Sequence, residues 1–199
     1  MAVVAINEIQ RLEREERILS SLKKLDFLSR TQLQELHDLG GDRNANRILR
    51  NMRQYLSYFS HGKEYVYYLN ANGRAVVGCD KVRKRTQQAA HTLLRNQLYL
   101  RIGKPVDWRN EIRVKVGDVD IICDAKFEAK GGSPVFVEVD VEQRMTENFA
   151  KIYRYKRISE LSGDDFFVIF VTQTEHRRTK LAEACEGLSA KIYTAMDIR

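Results

Sequence analysis

Three carboxylates gather in the second half of the chain: Asp124, then Glu138 and Asp140. Alternate residues of a strand share a face, so Glu138 lines up with Asp140, and Asp120 with Asp124. Asp124 beside Glu138 on a neighbouring strand would offer hard oxygen ligands to Mg2+ or Mn2+. Metal-dependent phosphodiester cleavage needs such a pair, to hold the ion and lower the pKa of a water. The plainer reading is a charged strand face turned to solvent. Against it, Asp and Glu are poor strand formers, and here they interrupt apolar runs that look central. That pattern points to a site, or to the remains of one.

A second chemistry is written around residue 47. Arg43, Arg47 and Arg50 recur at i, i+4 and i+7 and share one helix face. Asn44, Asn46, Asn51, Arg53 and Gln54 fill the rest, and no acid occurs between Arg43 and Glu64. Arg grips guanine bidentately, and Asn or Gln does the same for adenine. Such a row is often only a solvated face. The tight turn before it, the lack of acids and the Arg/Asn mixture together favour DNA. His61 and Lys63 follow in a turn suited to phosphate or minor-groove contact.

The elements that position these residues can be read from spacing. Asn7–Leu25 places Ile9, Leu12, Ile18, Leu19, Leu22 and Leu25 near helical period. Ser29 with Gln32 is a capping-box signature, which opens a helix from Arg30 to Leu39. Gly40-Gly41 ends it, and Asp42 is placed to cap a third helix over Arg43–Leu56. Ala45, Ile48, Leu49, Met52 and Leu56 form its inner face. Ser57–Phe59 and Glu64–Leu69, around a Gly-containing turn, read as a hairpin whose aromatic residues pack in the core. Three helices followed by a hairpin is the winged helix-turn-helix order, in which the third helix enters the major groove.

A basic helix over Lys81–Arg101, with Ala90, Leu93, Leu94 and Leu98 on one stripe, then joins the halves. Its start, with Arg83, Lys84 and Arg85, is suited to a DNA backbone. Beyond it come strands at Glu111–Val116, Val119–Phe127 and Pro134–Val141. A helix over Thr146–Leu161 follows, with Phe149, Ile152, Tyr153, Tyr155 and Ile158 as its apolar positions. Phe166–Val171 is a central strand, Glu175–Glu186 a helix and Lys191–Tyr193 a last strand. Counting the connecting helix, the order is α-β-β-β-α-β-α-β. The expected class is α/β within the back half and α+β overall, with helices on both sheet faces. The expected organisation is a DNA-binding domain over 1–80, a connecting helix over 81–103 and the α/β domain over 104–199.

The back half resembles the PD-(D/E)XK restriction-endonuclease-like fold, whose core order is α-β-β-β-α-β. The motif of that fold carries Asp, a spacer, then Asp/Glu-x-Lys; here Asp124 precedes Glu138-Val139-Asp140. Asp140 stands where the motif has Lys, with Lys126 and Lys151 the nearby candidates to replace it. The chain as a whole resembles the replication-relaxation family of Gram-positive plasmids, phages and conjugative elements, over about residues 10–195. The segments that carry the resemblance are His91–Asn96, Cys123-Asp124-Ala125, Glu138-Val139-Asp140 and Lys151–Tyr155. The resemblance implies roles in replication, DNA relaxation, transfer or regulation of a mobile element. It also implies a nuclease-like fold that binds DNA or a partner without cutting.

Composition bounds these readings. The chain has 199 residues, only two Pro, and a net charge of +7. Residues 83–103 hold five basic residues and no acid, whereas residues 104–199 hold 16 basic against 17 acidic. The positive potential therefore sits in the front half and the connecting segment, which favours a polyanionic partner. Three separated cysteines argue against a disulfide scaffold or a Cys-rich zinc site, and for a cytoplasmic protein. No apolar stretch reaches the ~20 residues of a membrane helix, so no membrane partner is expected. The leading expectation is a sequence-specific double-stranded DNA-binding protein, acting as a homodimer. The alternatives are a metal-dependent endonuclease targeted by its winged helix and a module that recruits replication or conjugation proteins.

Overall fold

The structure, a computed structural model, describes residues 2–84 and 88–199. Among these residues it holds seven helices and two β-sheets, a mixed α/β architecture. The chain divides into two compact units, residues 1–96 and 97–199.

In the first unit, α1 (Ala2–Leu25) buries Ile18, Leu19, Leu22 and Leu25. Its stripe does not continue inward as the period suggests: Ile9 and Leu12 are 54% and 53% exposed, because the helix outruns the core. After the two-residue strand β1 (Leu28–Ser29), α2 (Arg30–His37) starts on the full capping box of Ser29 and Gln32. It stops two residues earlier than expected, where Asp38 turns left-handed at φ 51°. Helix α3 (Asp42–Asn51) is capped by Gly41, so Asp42 is its first residue and not its cap. It ends before Met52, and Leu56 opens a strand instead of closing the helix. Ala45, Ile48, Leu49, Met52 and Leu56 are nonetheless all buried.

Strands β2 (Leu56–His61) and β3 (Glu64–Leu69) form an antiparallel hairpin, with His61 opposite Glu64. Gly62, at φ 57°, allows the two-residue turn between them. Strand β1 adds to β3, giving the order β1-β3-β2. Helix α4 (Ala71–Val77) follows, with Asn70 accepting from the Gly73 N–H at 2.9 Å. Spacing alone does not suggest it. Only glycine fits at 73, because a methyl there would run into the Tyr55 carbonyl oxygen.

The connecting helix is shorter than expected: α5 (Ala89–Arg101) leaves Lys81, Arg83 and Lys84 outside any helix. Arg85 lies outside the described residues. Residues 89–96 of α5 belong to the first unit and are held there by polar bonds. Asp26, itself left-handed at φ 69°, is the hub. Arg83 Nε donates to Asp26 Oδ1 at 2.9 Å and Arg95 Nη2 to Oδ2 at 3.3 Å. Asn96 Nδ2 donates to the carbonyls of Leu25 and Phe27 at 2.9 and 2.6 Å, and Gln32 Nε2 to that of Leu93 at 2.8 Å.

The second unit is a five-stranded sheet, β4 (Arg109–Val116), β5 (Val119–Glu128), β6 (Pro134–Asp140), β7 (Phe167–Thr172) and β8 (Ala190–Thr194), in sequence order. The first three pair antiparallel and the last two add in parallel. A parallel pair requires a crossover. Here α6 (Met145–Ser162) makes the β6–β7 crossover and α7 (Glu175–Ala184) the β7–β8 crossover. Ile152, Tyr155 and Ile158 of α6 and Leu181 of α7 pack on Phe136, Val168 and Phe170 in one cluster. Phe149 and Tyr153, expected on the inner face, are instead 43% and 65% exposed, and Asn148 takes the buried position. On the opposite sheet face, Phe127 pairs in register with Val135 and stacks on Trp108, which meets Tyr99 of α5 edge-on.

Candidate functional site

Two sites emerge, one in each unit. In the first unit, α3 turns Ala45, Ile48 and Leu49 inward, which sets Arg43, Arg47, Arg50 and Asn51 in solvent. Asn44 is exposed and Asn46 half-buried. The Asn44 amide is already engaged: Nδ2 donates to the Leu39 carbonyl at 2.9 Å, and Oδ1 accepts from Arg47 Nη2 at 2.8 Å. Asn44 therefore positions Arg47. Lys63 is exposed at the hairpin turn, and Lys84 is exposed beyond α4. Arg83 is turned inward to Asp26, away from the role of a free backbone contact.

Between α3 and the hairpin lies a cleft of about 260 Å³. Its walls bring together Arg30, Arg50, Arg53 and Lys63 with Tyr58, Tyr65 and Tyr67. Tyr58 and Tyr65 are 43% and 50% exposed, so they are not the core packing expected of them. The rest of the hairpin's aromatic set does pack: Phe59 and Tyr68 gather against Phe27 on the other side. Arg53 Nη2 donates to the Tyr58 hydroxyl at 3.3 Å, and its guanidinium lies 5.5 Å from the ring centroid. Glu64 is the one acid of the cleft wall; Arg30 lies 3.7 Å from it and the Thr31 hydroxyl donates to it. Burial pushes the Tyr67 hydroxyl above its usual pKa, so it stays protonated.

The second unit holds the carboxylates. Strand pairing of Ala125 with Val137 brings Asp124 beside Glu138. Asp124 Oδ2 accepts from the Val139 N–H at 2.7 Å. Glu138 is 2% exposed, and both of its oxygens are engaged from α6. The Tyr155 hydroxyl donates to Oε1 at 2.7 Å, and Lys151 Nζ donates to Oε2. Burial, then repulsion from Asp124, pushes the Glu138 carboxyl up to about 8 against the pull of Lys151. Burial, followed by the nearby Glu138 charge, raises the Cys123 thiol to about 12, so it is inert as a nucleophile.

Asp140 stands apart from that pair. Arg177 of α7 grips it with two bonds of 2.6 Å, and the Thr172 hydroxyl donates at 2.9 Å. Burial pushes its carboxyl up, but these bonds outweigh it and hold the pKa below the usual range. The acid that stands in the motif's Lys position is thus covered by a guanidinium. Asp120 is not part of the cluster either, being paired to Arg113 at the surface with Nε–Oδ1 at 2.9 Å. Lys126 lies over the Phe136 ring, 5.6 Å from its centroid, so Lys151 and not Lys126 is the cation at Glu138. Each Glu138 oxygen already accepts one bond from α6, so an ion at Asp124 and Glu138 would have to share those oxygens with Lys151 and Tyr155 or displace them. Among the described residues no group of three or more His, Cys, Asp or Glu is set to hold one.

The family model for replication-relaxation matches residues 19–165. The chain belongs to the replication-relaxation family. The family match spans the cleft, Asp124, Glu138 and Lys151, and stops short of Arg177. A search of curated proteins returns no match.

Sequence reading misses three groups. Tyr58 and Tyr65 have the spacing of ordinary strand packing. Tyr155 reads as plain core, although it lies four residues after Lys151 and therefore on the same helix face. Arg177 carries no signal, since only the parallel β6–β7 pairing brings it to Asp140.

Proposed function

We propose that the protein binds double-stranded DNA sequence-specifically, as a component of a mobile genetic element. Membership of the replication-relaxation family suggests a role in plasmid replication or relaxation. In this reading, the first unit is a winged helix-turn-helix. Its α3 enters the major groove, and Lys63 of the hairpin touches the backbone. The second is a PD-(D/E)XK-like domain that has kept the fold and closed the site. The observation that carries the reading is the exposed, acid-free row Arg43, Arg47 and Arg50, backed by the buried Ala45, Ile48 and Leu49. The protein acts as a homodimer on paired half-sites; the uncovered stripe of Ile6, Ile9 and Leu12 on α1 gives a second copy something to cover. Among the described residues no helix is long and apolar enough to cross a membrane.

Selection of bound sequences from a random duplex pool, repeated with the double variant Arg47→Ala/Arg50→Ala, tests this. The wild type should enrich one motif and the variant should not. Equal enrichment by both would remove α3 from the reading.

A further inference from the structure

We propose that the cleft between α3 and the hairpin receives one unpaired nucleotide of a DNA strand, with its base against Tyr58 and Tyr65 and its phosphate at Arg50 and Lys63. This rests on the reading that the first unit binds DNA. A protein that reads only the grooves of a closed duplex needs cations and amides at base edges. It has no use for exposed ring faces, because a paired and stacked base presents only its edge. This cleft places partly exposed tyrosine rings among the cations. Tyr58 and Tyr65 are both near half exposed, whereas Tyr67 beneath them is only 7% exposed and forms a floor.

The rings are held in fixed relation. Tyr58 meets Tyr65 edge to face with centroids 5.3 Å apart, and meets Tyr67 at 5.9 Å. Arg53 secures Tyr58 through both its hydroxyl and its ring. A fixed aromatic platform flanked by cations is the arrangement by which proteins hold single-stranded bases without reading their edges. A volume of about 260 Å³ is enough for one base.

The charge of the wall agrees. Glu64 accepts from the Thr31 hydroxyl and lies 3.7 Å from Arg30, which also pairs with Asp42 at 3.0 Å. Its charge is offset only in part, and the wall's surplus cations are Arg50, Arg53 and Lys63. Arg50 and Lys63 form no ion pair among the described residues, which leaves both available to a phosphate. They stand on different elements, α3 and the hairpin turn, and line the same cleft as the tyrosines, so a phosphate held by both lies at the mouth of the aromatic site.

Fluorescence anisotropy on the full chain tests the proposal, with three labelled DNAs of one sequence: a flush duplex, the same duplex with one bulged nucleotide, and the single strand. The bulged duplex should bind roughly tenfold more tightly than the flush one, the size of one base–aromatic stack. Tyr65→Ala should bring that ratio to one, and Tyr65→Phe, which keeps the ring, should retain it. Circular dichroism of both variants controls for folding. Loss of the preference on adding a free deoxynucleotide would place the same ligand in the cleft from solution and supports the site. Equal affinity of the wild type for flush and bulged duplexes would overturn the proposal. So would a preference that survives Tyr58→Ala/Tyr65→Ala. If the flush duplex binds and Arg47→Ala weakens it while no preference exists, the cleft assignment alone fails. If no DNA binds, the DNA-binding reading fails with it.

Discussion

Arg177 closes on Asp140 through both arms of its guanidinium, Nε to Oδ2 and Nη2 to Oδ1, each at 2.6 Å. The same Nη2 donates to the Gln143 carbonyl at 2.6 Å, which ties the start of α7 to the loop after β6. Asp140 is 1% exposed, so its charge has no water to stabilise it. Removing Arg177 leaves a buried carboxylate unpaired, which typically costs about 3–5 kcal/mol. Arg177→Ala should lower unfolding free energy by that order in urea titrations. A change near zero would mean that the pair is replaceable by water.

The two buried acids respond to pH in opposite senses. Glu138 is raised to about 8, so between roughly pH 4.3, the usual Glu value, and pH 8 the folded state binds more protons than the unfolded one. Its contribution to stability therefore falls as pH rises through that window. Asp140 is lowered, so its contribution is present above the ordinary Asp value and is lost as pH falls below it. Thermal unfolding of wild type and Glu138→Gln from acid to mildly alkaline pH should show the wild type losing ground to the variant as pH rises. A constant difference across the window would contradict the burial argument.

DNA affinity should fall steeply with salt, since each phosphate neutralised by a cation adds about 0.9 to the steepness of log K against log salt. Arg47→Ala should lose affinity for the preferred site more than for other sequences. Lys63→Ala should weaken all sequences alike. Titrations at several salt concentrations separate the two behaviours.

Purified protein should not nick supercoiled DNA in Mg2+ or Mn2+, because both Glu138 oxygens are engaged by Lys151 and Tyr155. Gel assays beside a Glu138→Ala control check this. Metal-dependent nicking that disappears in the control would show that Lys151 gives way to an ion.

Gly73→Ala should destabilise the first unit by roughly 1–3 kcal/mol, the usual cost of overpacking. The new methyl meets backbone, the Tyr55 carbonyl, and not a side chain that can move. Denaturant titration would read the loss.

Legibility follows the reach of each signal. The α2 start is readable because Ser29 and Gln32 satisfy each other within one turn. The succession of strands and helices along the second unit is readable because apolar runs and turn residues alternate locally. Leu56 misleads because it is buried either way, at the end of a helix or at the start of a strand. The expected helix start at Lys81 fails because charge carries little helix information, and Arg83 is drawn to Asp26, 57 residues away. In the site, Asp124 beside Glu138 follows from strand alternation, whereas Arg177 at Asp140 depends on a crossover that no local pattern encodes.

The Asp26 hub also changes how a polyanion would meet the first unit. Of the basic residues in the segment 83–101, Arg83 and Arg95 are bound to one carboxylate, and Arg95 is 2% exposed. One of their two charges is cancelled on the spot, which weakens the far field of this segment. On the DNA-binding reading, the exposed cations of α3 and the hairpin turn then gain weight in the long-range attraction, and they would help orient an arriving duplex toward that surface. Added salt should then act mainly by slowing association, with the lifetime of the formed complex much less affected.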